Sequence, residues 1–284
     1  MKNILVTTDL SSNSKAALYF AIQLASQDKY NLTFFYSHQL MRPTSWSDKV
    51  FESFEKSETE LMERKLERMV SAAYAKTGIK PGDYRCVILT SSFTEKTIMD
   101  YAEKNMFDFI CISRRGCGIH KNIFGTTSSS LINNSAIPVI AVPPNYRPAK
   151  ITRILYASDL SNLEKESGSV IEFARTLKAG LELLHFELPF DSYRNLDLIE
   201  KATKKFAGFK IQLQVSKFNF LESMSRNLDL AINKSKPSMV VMFTQQNRDF
   251  FERLFLPGAT VSYAFKAKVP LLIFSKRLRG LKME

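Results

Sequence analysis

The sequence predicts an α/β protein made of two tandem open-sheet domains, each a five-stranded parallel sheet sandwiched between helices. Three observations predict it. The opening is written twice, as ILVTTDLS at 4–11 and ILYASDLS at 154–161. The finish is also repeated, as Ala136-Ile137-Pro138-Val139-Ile140-Ala141-Val142 and as Val269-Pro270-Leu271-Leu272-Ile273-Phe274. Between these marks, short continuous apolar runs alternate with helical patterns, which is how a parallel sheet covered on both faces reads. A repeat this long is a domain duplication rather than a solenoid. The chain has 284 residues, and at roughly 100–200 residues per domain that predicts two. We place them at 1–143 and 151–284. The linker 144–150 is rich in proline, with Pro143, Pro144 and Pro148 at or inside it, and such a stretch continues neither a helix nor a central strand.

Each element has its own signal. Ile4–Thr8 is rich in β-branched residues. Asp9-Leu10-Ser11-Ser12-Asn13-Ser14 follows as a turn and helix start. Ala16, Ala17, Phe20, Ala21, Leu24 and Ala25 then recur at helical spacing. Leu32–Tyr36 is a second strand. Phe51–Thr77 is a long helix with Phe54, Leu61, Leu66, Met69, Val70 and Ala73 on or near one face. Pro81-Gly82 breaks it, and Tyr84–Leu89 is a third strand. Thr94–Lys104 is a helix burying Ile98 and Tyr101. Phe109–Ile112 is a strand, Ser128–Asn134 is helical and Val139–Val142 is the fifth strand.

The second half repeats this order. Strands are expected at Ile154–Ala157, Leu181–Phe186, Phe209–Val215, Met239–Phe243 and Leu271–Phe274. Helices are expected at Glu164–Leu177, Asn195–Ala207, Phe220–Lys234 and Ala259–Phe265.

Composition narrows the class. Apolar residues are 45% and charged residues 24% of the chain, as in ordinary globular domains. No apolar stretch approaches the ~18 residues of a membrane helix. Met1-Lys2-Asn3 runs straight into a strand pattern without signal-peptide anatomy. Three cysteines, Cys86, Cys111 and Cys117, are an odd number without metal-like spacing. Together these predict a cytoplasmic protein and no membrane partner. The formal net charge is +12. Nucleic acid would be attracted by such a charge, but no nucleic-acid motif accompanies it, so a solvated basic surface is the reading. The basic cluster at 276–282 reads as a solvated tail.

The quoted segments resemble a known family. ILVTTDLSSNSKAALYFAIQLA at 4–25 looks like the opening of universal stress protein domains, and SRRGCGIHKNIFGTTSSSLINNSAIPVIAVP at 113–143 looks like their ending. ILYASDLSNLEKESGSVIEFARTL, ELLHF and KVPLLIF in the second half are similar. The resemblance implies a fold of the adenine nucleotide alpha hydrolase type. It also implies domains that pair through their last strand, here within one chain, and it leaves room for a homodimer.

The family includes members that bind ATP and members that do not. The ATP-binding signature is G-x2-G-x9-G-[S/T] after the fourth strand. Glycines let backbone approach phosphates, and the closing pair sits at a helix N-terminus. Gly125-Thr126, followed by Thr127, match its end. Counting back from Gly125, the earlier glycine positions hold Arg115 and Ile112, while Gly116 and Gly118 are out of register. Arg114, Arg115, His120 and Lys121 are cations that can pair with phosphate. The resemblance therefore implies one nucleotide site, for ATP or another adenine nucleotide, in the first half. Its candidate residues are Asp9, Ser37, Arg115, Gly116, Gly118, Gly125, Thr126 and Thr127. In the second half Phe243-Thr244-Gln245-Gln246-Asn247-Arg248 replaces the glycine loop, and no glycine follows until Gly258. Phe243, Phe250 and Phe251 are expected to block phosphate there.

Plainer readings stand beside these. Asp9 and Asp159 lie where open sheets bind ligands, and either is also a fair helix N-cap. Thr126–Ser130 suits phosphate and equally suits a polar helix start. His185 reads as structural. His38 and His120 have no ligand spacing around them. Met62, Met69 and Met99 read as core. No nucleophile elbow, Walker loop, dinucleotide loop or paired carboxylates predict turnover. A binding and regulatory protein of the stress response is the reading, with a nucleotide-free dimeric interaction scaffold as the alternative and a slow ATPase third.

Overall fold

The computed structural model describes residues 1–114, 126–158, 160, 162–187, 197, 200–201, 204, 211–219, 221–243 and 269–274; of Thr126, Glu187 and Ser225 it describes the backbone. The first half runs β1 (Lys2–Thr8), α1 (Lys15–Ala25), β2 (Tyr30–His38), α2 (Asp48–Thr77), β3 (Tyr84–Thr90), α3 (Thr94–Lys104), β4 (Phe109–Ser113), α4 (Thr126–Asn134) and β5 (Val139–Val142). The second runs β6 (Arg153–Ala157), α5 (Leu163–Thr176), β7 (Gly180–Glu187), β8 (Gln212–Lys217), α6 (Met224–Ser235), β9 (Met239–Phe243) and β10 (Leu271–Phe274).

All the described strands belong to one sheet, in the order β3-β2-β1-β4-β5-β10-β9-β6-β7-β8. Each half thus has the same internal order, and the repeated openings carry the same pairing. Ile4 sits opposite Leu32 and Phe109, and Ile154 sits opposite Leu181 and Met239. Neighbours run parallel except at the centre, where β10 pairs antiparallel with β5, Leu272 opposite Ile140. The two closing strands therefore cover each other's edges, which removes an exposed apolar edge.

Continuous apolar strands need cover on both faces, and the helices supply it. On one face α1, α2 and α5 bury Phe20, Leu66 and Phe173 against Ile4, Val6, Ile154 and Tyr156. On the other, α3, α4 and α6 bury Ile98, Leu131 and Leu228 against Leu5, Ile110, Leu155 and Val240. Both cores cross from one half to the other. Phe109 meets Phe173 edge-on at 5.7 Å and Phe20 meets Tyr146 at 5.5 Å. Gln27 spans the same seam, donating through Nε2 to the Ile151 carbonyl at 3.0 Å and accepting the Ile151 amide at 2.7 Å.

The helix starts follow their caps. α2 begins at Asp48, ahead of the expected Phe51, because the Ser47 hydroxyl accepts the Val50 amide. It stops at Gly78, whose φ of 68° is the left-handed conformation that ends helices. Its buried stripe is Met62, Leu66, Val70, Ala73 and Tyr74. Leu61 departs from the expected face and is exposed, since it lies about 100° around the helix from Met62. Met62 is core as expected, whereas Met69, Met99 and Tyr101 are only partly buried. α6 begins at Met224 rather than Phe220 because Ser223 caps it and Asn227 folds back onto Asn219. The expected helix at 195–207 is described at four positions, with i,i+4 ion pairs Lys201–Asp197 and Lys204–Glu200. The expected helix at 259–265, the strand start at Phe209, and the tail at 276–282 lie outside the described residues.

Candidate functional site

Strand order puts a crevice at the carboxyl ends of β1 and β4. The chain leaves β1 toward β2 on one side, and later returns to β4 on the other. Such a switch point is where open α/β sheets hold ligands. Here it opens into a cleft of about 440 Å³, lined from β1, β2, β4 and the first turns of α3 and α4. The volume falls in the range of about 300–1,000 Å³ common for small-molecule sites.

The turn after β1 shapes the rim. Leu10 is held at φ 59°, a left-handed conformation that non-glycine residues adopt at a cost of about 1–2 kcal/mol. Hydroxyls hold it there. The Leu10 amide donates to Thr8 Oγ1 at 3.0 Å, and Thr8 and Ser14 share a hydroxyl–hydroxyl bond of 2.7 Å. Asp9 accepts the Ser11 amide at 3.0 Å. Asp9 does not cap α1: the helix starts at Lys15 with Ser14 at its cap position, and the aspartate closes a local turn instead. Burial pushes the Asp9 carboxyl up, but the neighbouring Ser11 hydroxyl and amide outweigh it, leaving the group below its ordinary value. Asp9 thus presents a charge to the cleft.

The floor is polar. Ser113, at the end of β4, donates to the Ser14 carbonyl at 3.0 Å and accepts the Ala17 amide at 2.8 Å, locking α1 onto the sheet. At the end of β2 the Tyr36 hydroxyl and His38 Nδ1 lie 3.2 Å apart. Burial, with help from Asp9, pushes the Tyr36 phenol above its ordinary value. Ser37 Oγ and His38 Nε2 are buried without a hydrogen-bond partner, and both residues line the cleft. On the far wall Thr127 Oγ1 donates to Glu95 Oε1 at 3.0 Å, and Gln39 Nε2 donates to Thr94 Oγ1 at 3.2 Å. Arg114, only 4% exposed, completes the described lining.

Of the expected site residues, Asp9, Ser37 and Thr127 meet at this cleft. Thr126 opens α4 beside Thr127, and its side chain is not described. Arg115, Gly116, Gly118 and Gly125 lie outside the described residues, as do His120, Lys121, Asp159, Phe250, Phe251 and Gly258. Sequence reading passed over Thr8, Tyr36, Glu95 and the cleft-facing role of His38. Only the i,i+2 spacing of Tyr36 and His38, which puts both on one side of a strand, hinted at them. Phe243, at the end of β9, is buried: it stacks on Phe274 at 4.7 Å and meets Tyr156 edge-on at 5.9 Å. His185 is structural as expected, with Nδ1 3.1 Å from the Ser158 carbonyl.

Among the described residues no cluster of His, Cys, Asp and Glu could hold a metal ion, and no helix is long and apolar enough to cross a membrane.

Residues 1–143 match the family model described as the universal stress protein family. The chain belongs to the universal stress protein family. Solved structures carry the same fold over nearly the whole chain. A universal stress protein from Archaeoglobus fulgidus DSM 4304 aligns with 97% of this chain and 98% of its own, at 17% identity and a TM-score of 0.65. A putative universal stress protein from Pseudomonas aeruginosa UCBPP-PA14 aligns with 97% of this chain and 93% of its own, at 14% identity and a TM-score of 0.57. A universal stress protein solved in complex with cAMP aligns with 52% of this chain and 98% of its own, at 16% identity and a TM-score of 0.38. No curated protein sequence matches the chain. This universal stress protein thus has an α/β sheet of mostly parallel strands, with its cleft at the switch point of the first five.

Proposed function

We propose that this universal stress protein binds ATP or another adenine nucleotide in the first-half cleft, and acts in the stress response by binding rather than turnover. Residues 1–143 and 151–284 are read as two tandem domains joined by 144–150, forming an internal pseudo-dimer in the cytoplasm. The repeated strand order and the β5–β10 pairing support that division. The observation that carries the nucleotide reading is the meeting of Asp9, Ser37 and Thr127 around one cavity of about 440 Å³ at the switch point.

The residues fit such a ligand in kind. Asp9 is an ionised acceptor at the rim, suited to ribose hydroxyls. Ser37 and His38 supply unpartnered polar atoms inside. Thr127 and Ser128 in the first turn of α4 line the cleft, and the amino end of a helix favours anions. Among the described residues no base–nucleophile pair accompanies them, and binding is the reading proposed.

The alternative is a nucleotide-free scaffold. It is favoured by apolar side chains in the segments flanking the cleft, with Met41 89% and Phe93 71% exposed. One experiment separates the two. Purified protein is denatured and its supernatant is run on anion-exchange chromatography, followed by calorimetric titration of the full chain with adenine nucleotides. Nucleotide in the supernatant or heat on titration supports the nucleotide site. Neither signal leaves the scaffold.

A further inference from the structure

We infer that Glu95 makes the first-half cleft selective for adenine ligands of low charge, a nucleoside or its monophosphate, over a triphosphate. The inference rests on the nucleotide reading and narrows it.

The amino end of α4 is the natural anion position of the cleft, because its first N–H groups have no partner within the helix. In this chain a side chain of the protein already faces it. Glu95, in the first turn of α3, reaches across and takes the Thr127 hydroxyl at 3.0 Å. An internal carboxylate is therefore bonded to the first turn of α4, close to where a terminal phosphate would seek the helix end. Asp9 adds a second carboxylate to the same lining, held ionised by its turn. Against these, Arg114 is the one lysine or arginine among the described lining residues. Like charges within several ångströms repel more strongly near a protein surface than in bulk water. Each added phosphate brings more negative charge toward Glu95.

The inner wall asks for something else. Ser37 is 6% exposed and His38 9% exposed, and Ser37 Oγ and His38 Nε2 have no partner. Buried polar atoms are normally paired, and two lining one cavity call for a ligand that supplies both donors and acceptors. A heterocyclic base does so without adding charge. Polar base-reading atoms inside and carboxylates toward the rim together describe a nucleoside.

The test is calorimetric titration of the full chain and of Glu95→Gln with adenosine, AMP and ATP. The unmodified protein is expected to bind adenosine about tenfold more tightly than ATP, with AMP between. Glu95→Gln, which keeps the shape and removes the charge, should tighten ATP about tenfold while moving adenosine by less than about twofold. ATP binding more tightly than adenosine in the unmodified protein overturns the inference and leaves the nucleotide site standing. A preference for adenosine that Glu95→Gln does not alter overturns the role of Glu95. Should none of the three ligands bind, the nucleotide reading falls, and this one with it.

Discussion

The two halves solve the end of their first strand in the same way and then diverge. After β1 the Leu10 amide donates to the Thr8 hydroxyl at 3.0 Å, and after β6 the Leu160 amide donates to the Ser158 hydroxyl at 3.0 Å. Both leucines are left-handed, at φ 59° and 66°. Around this shared turn the neighbours differ. Strand pairing puts Ser113 of β4 and Phe243 of β9 at corresponding places, and likewise Ser37 of β2 and Phe186 of β7. In the first half both places hold serines, one tying α1 to the sheet and one facing a cleft. In the second both hold phenylalanines: Phe243 stacks on Phe274, and Phe186 packs edge-on against Phe218 at 6.1 Å. Tyr156, where the first half has Val6, adds a buried hydroxyl that donates to Glu166 at 2.5 Å. One copy keeps polar groups at its crevice, and the other spends the same positions on packing. Strand-end residues are thus free to change role once the turn and the sheet are secured.

The largest effect expected from this difference is on stability. Phe243→Ala removes a buried ring with two aromatic partners and should destabilise the chain by about 3–5 kcal/mol. Ser113→Ala, at the corresponding place, loses two hydrogen bonds to α1 and should cost about 1–3 kcal/mol. Denaturant unfolding of both variants decides it. Equal losses would mean that Phe243 contributes no more to its core than Ser113 does to its helix lock.

Binding should show the next largest effect. Ser37→Phe gives the first half the residue that the second half carries. The new ring would enter the cleft, so adenosine affinity should fall about a hundredfold, or roughly 2.7 kcal/mol. The fold should hold to within about 1 kcal/mol, because the Ser37 hydroxyl bonds to nothing. Calorimetry alongside circular dichroism checks both parts. Unchanged affinity would place the ligand elsewhere.

Much of this comparison was legible beforehand. β-branched runs and helical periodicity placed Met239–Phe243, Leu271–Phe274 and Thr94–Lys104 at their observed bounds, because one strong local signal governs each of them. The repeated ILVTTDLS and ILYASDLS announced two copies of one turn, but not the part that Thr8 and Ser158 play in holding it. The cleft was half legible: Asp9, Ser37 and Thr127 were named, yet Glu95 was not. Its bond to Thr127 joins residues 32 apart, through the packing of α3 beside α4, and no spacing rule reaches that far. The stack that buries Phe243 is hidden from the sequence for a related reason: only the pairing of β9 with β10 and β6 brings Phe274 and Tyr156 beside it.

The smallest effect separates the two left-handed leucines. Leu10→Gly and Leu160→Gly both relieve a strained φ worth about 1–2 kcal/mol. Glycine also adds freedom to the unfolded chain, which returns about 0.5–1 kcal/mol of that relief. The remaining difference is burial. Leu160 is 2% exposed, and emptying its site should cost about 2–5 kcal/mol, so Leu160→Gly should be clearly destabilising. Leu10 is only partly buried at the edge of the same core. Its lost contacts should about match the strain relieved, leaving Leu10→Gly within about 1 kcal/mol of the parent. Denaturant midpoints for the two variants, compared at equal slope, measure the gap. A loss at Leu10 as large as that at Leu160 would show that the leucine side chain, rather than the Thr8 and Ser14 hydroxyls, holds the first turn in its left-handed form. The cleft rim and the second-half turn would then depend on one and the same packing contact, and the contrast between the halves would begin only beyond it, at Ser37 and Ser113.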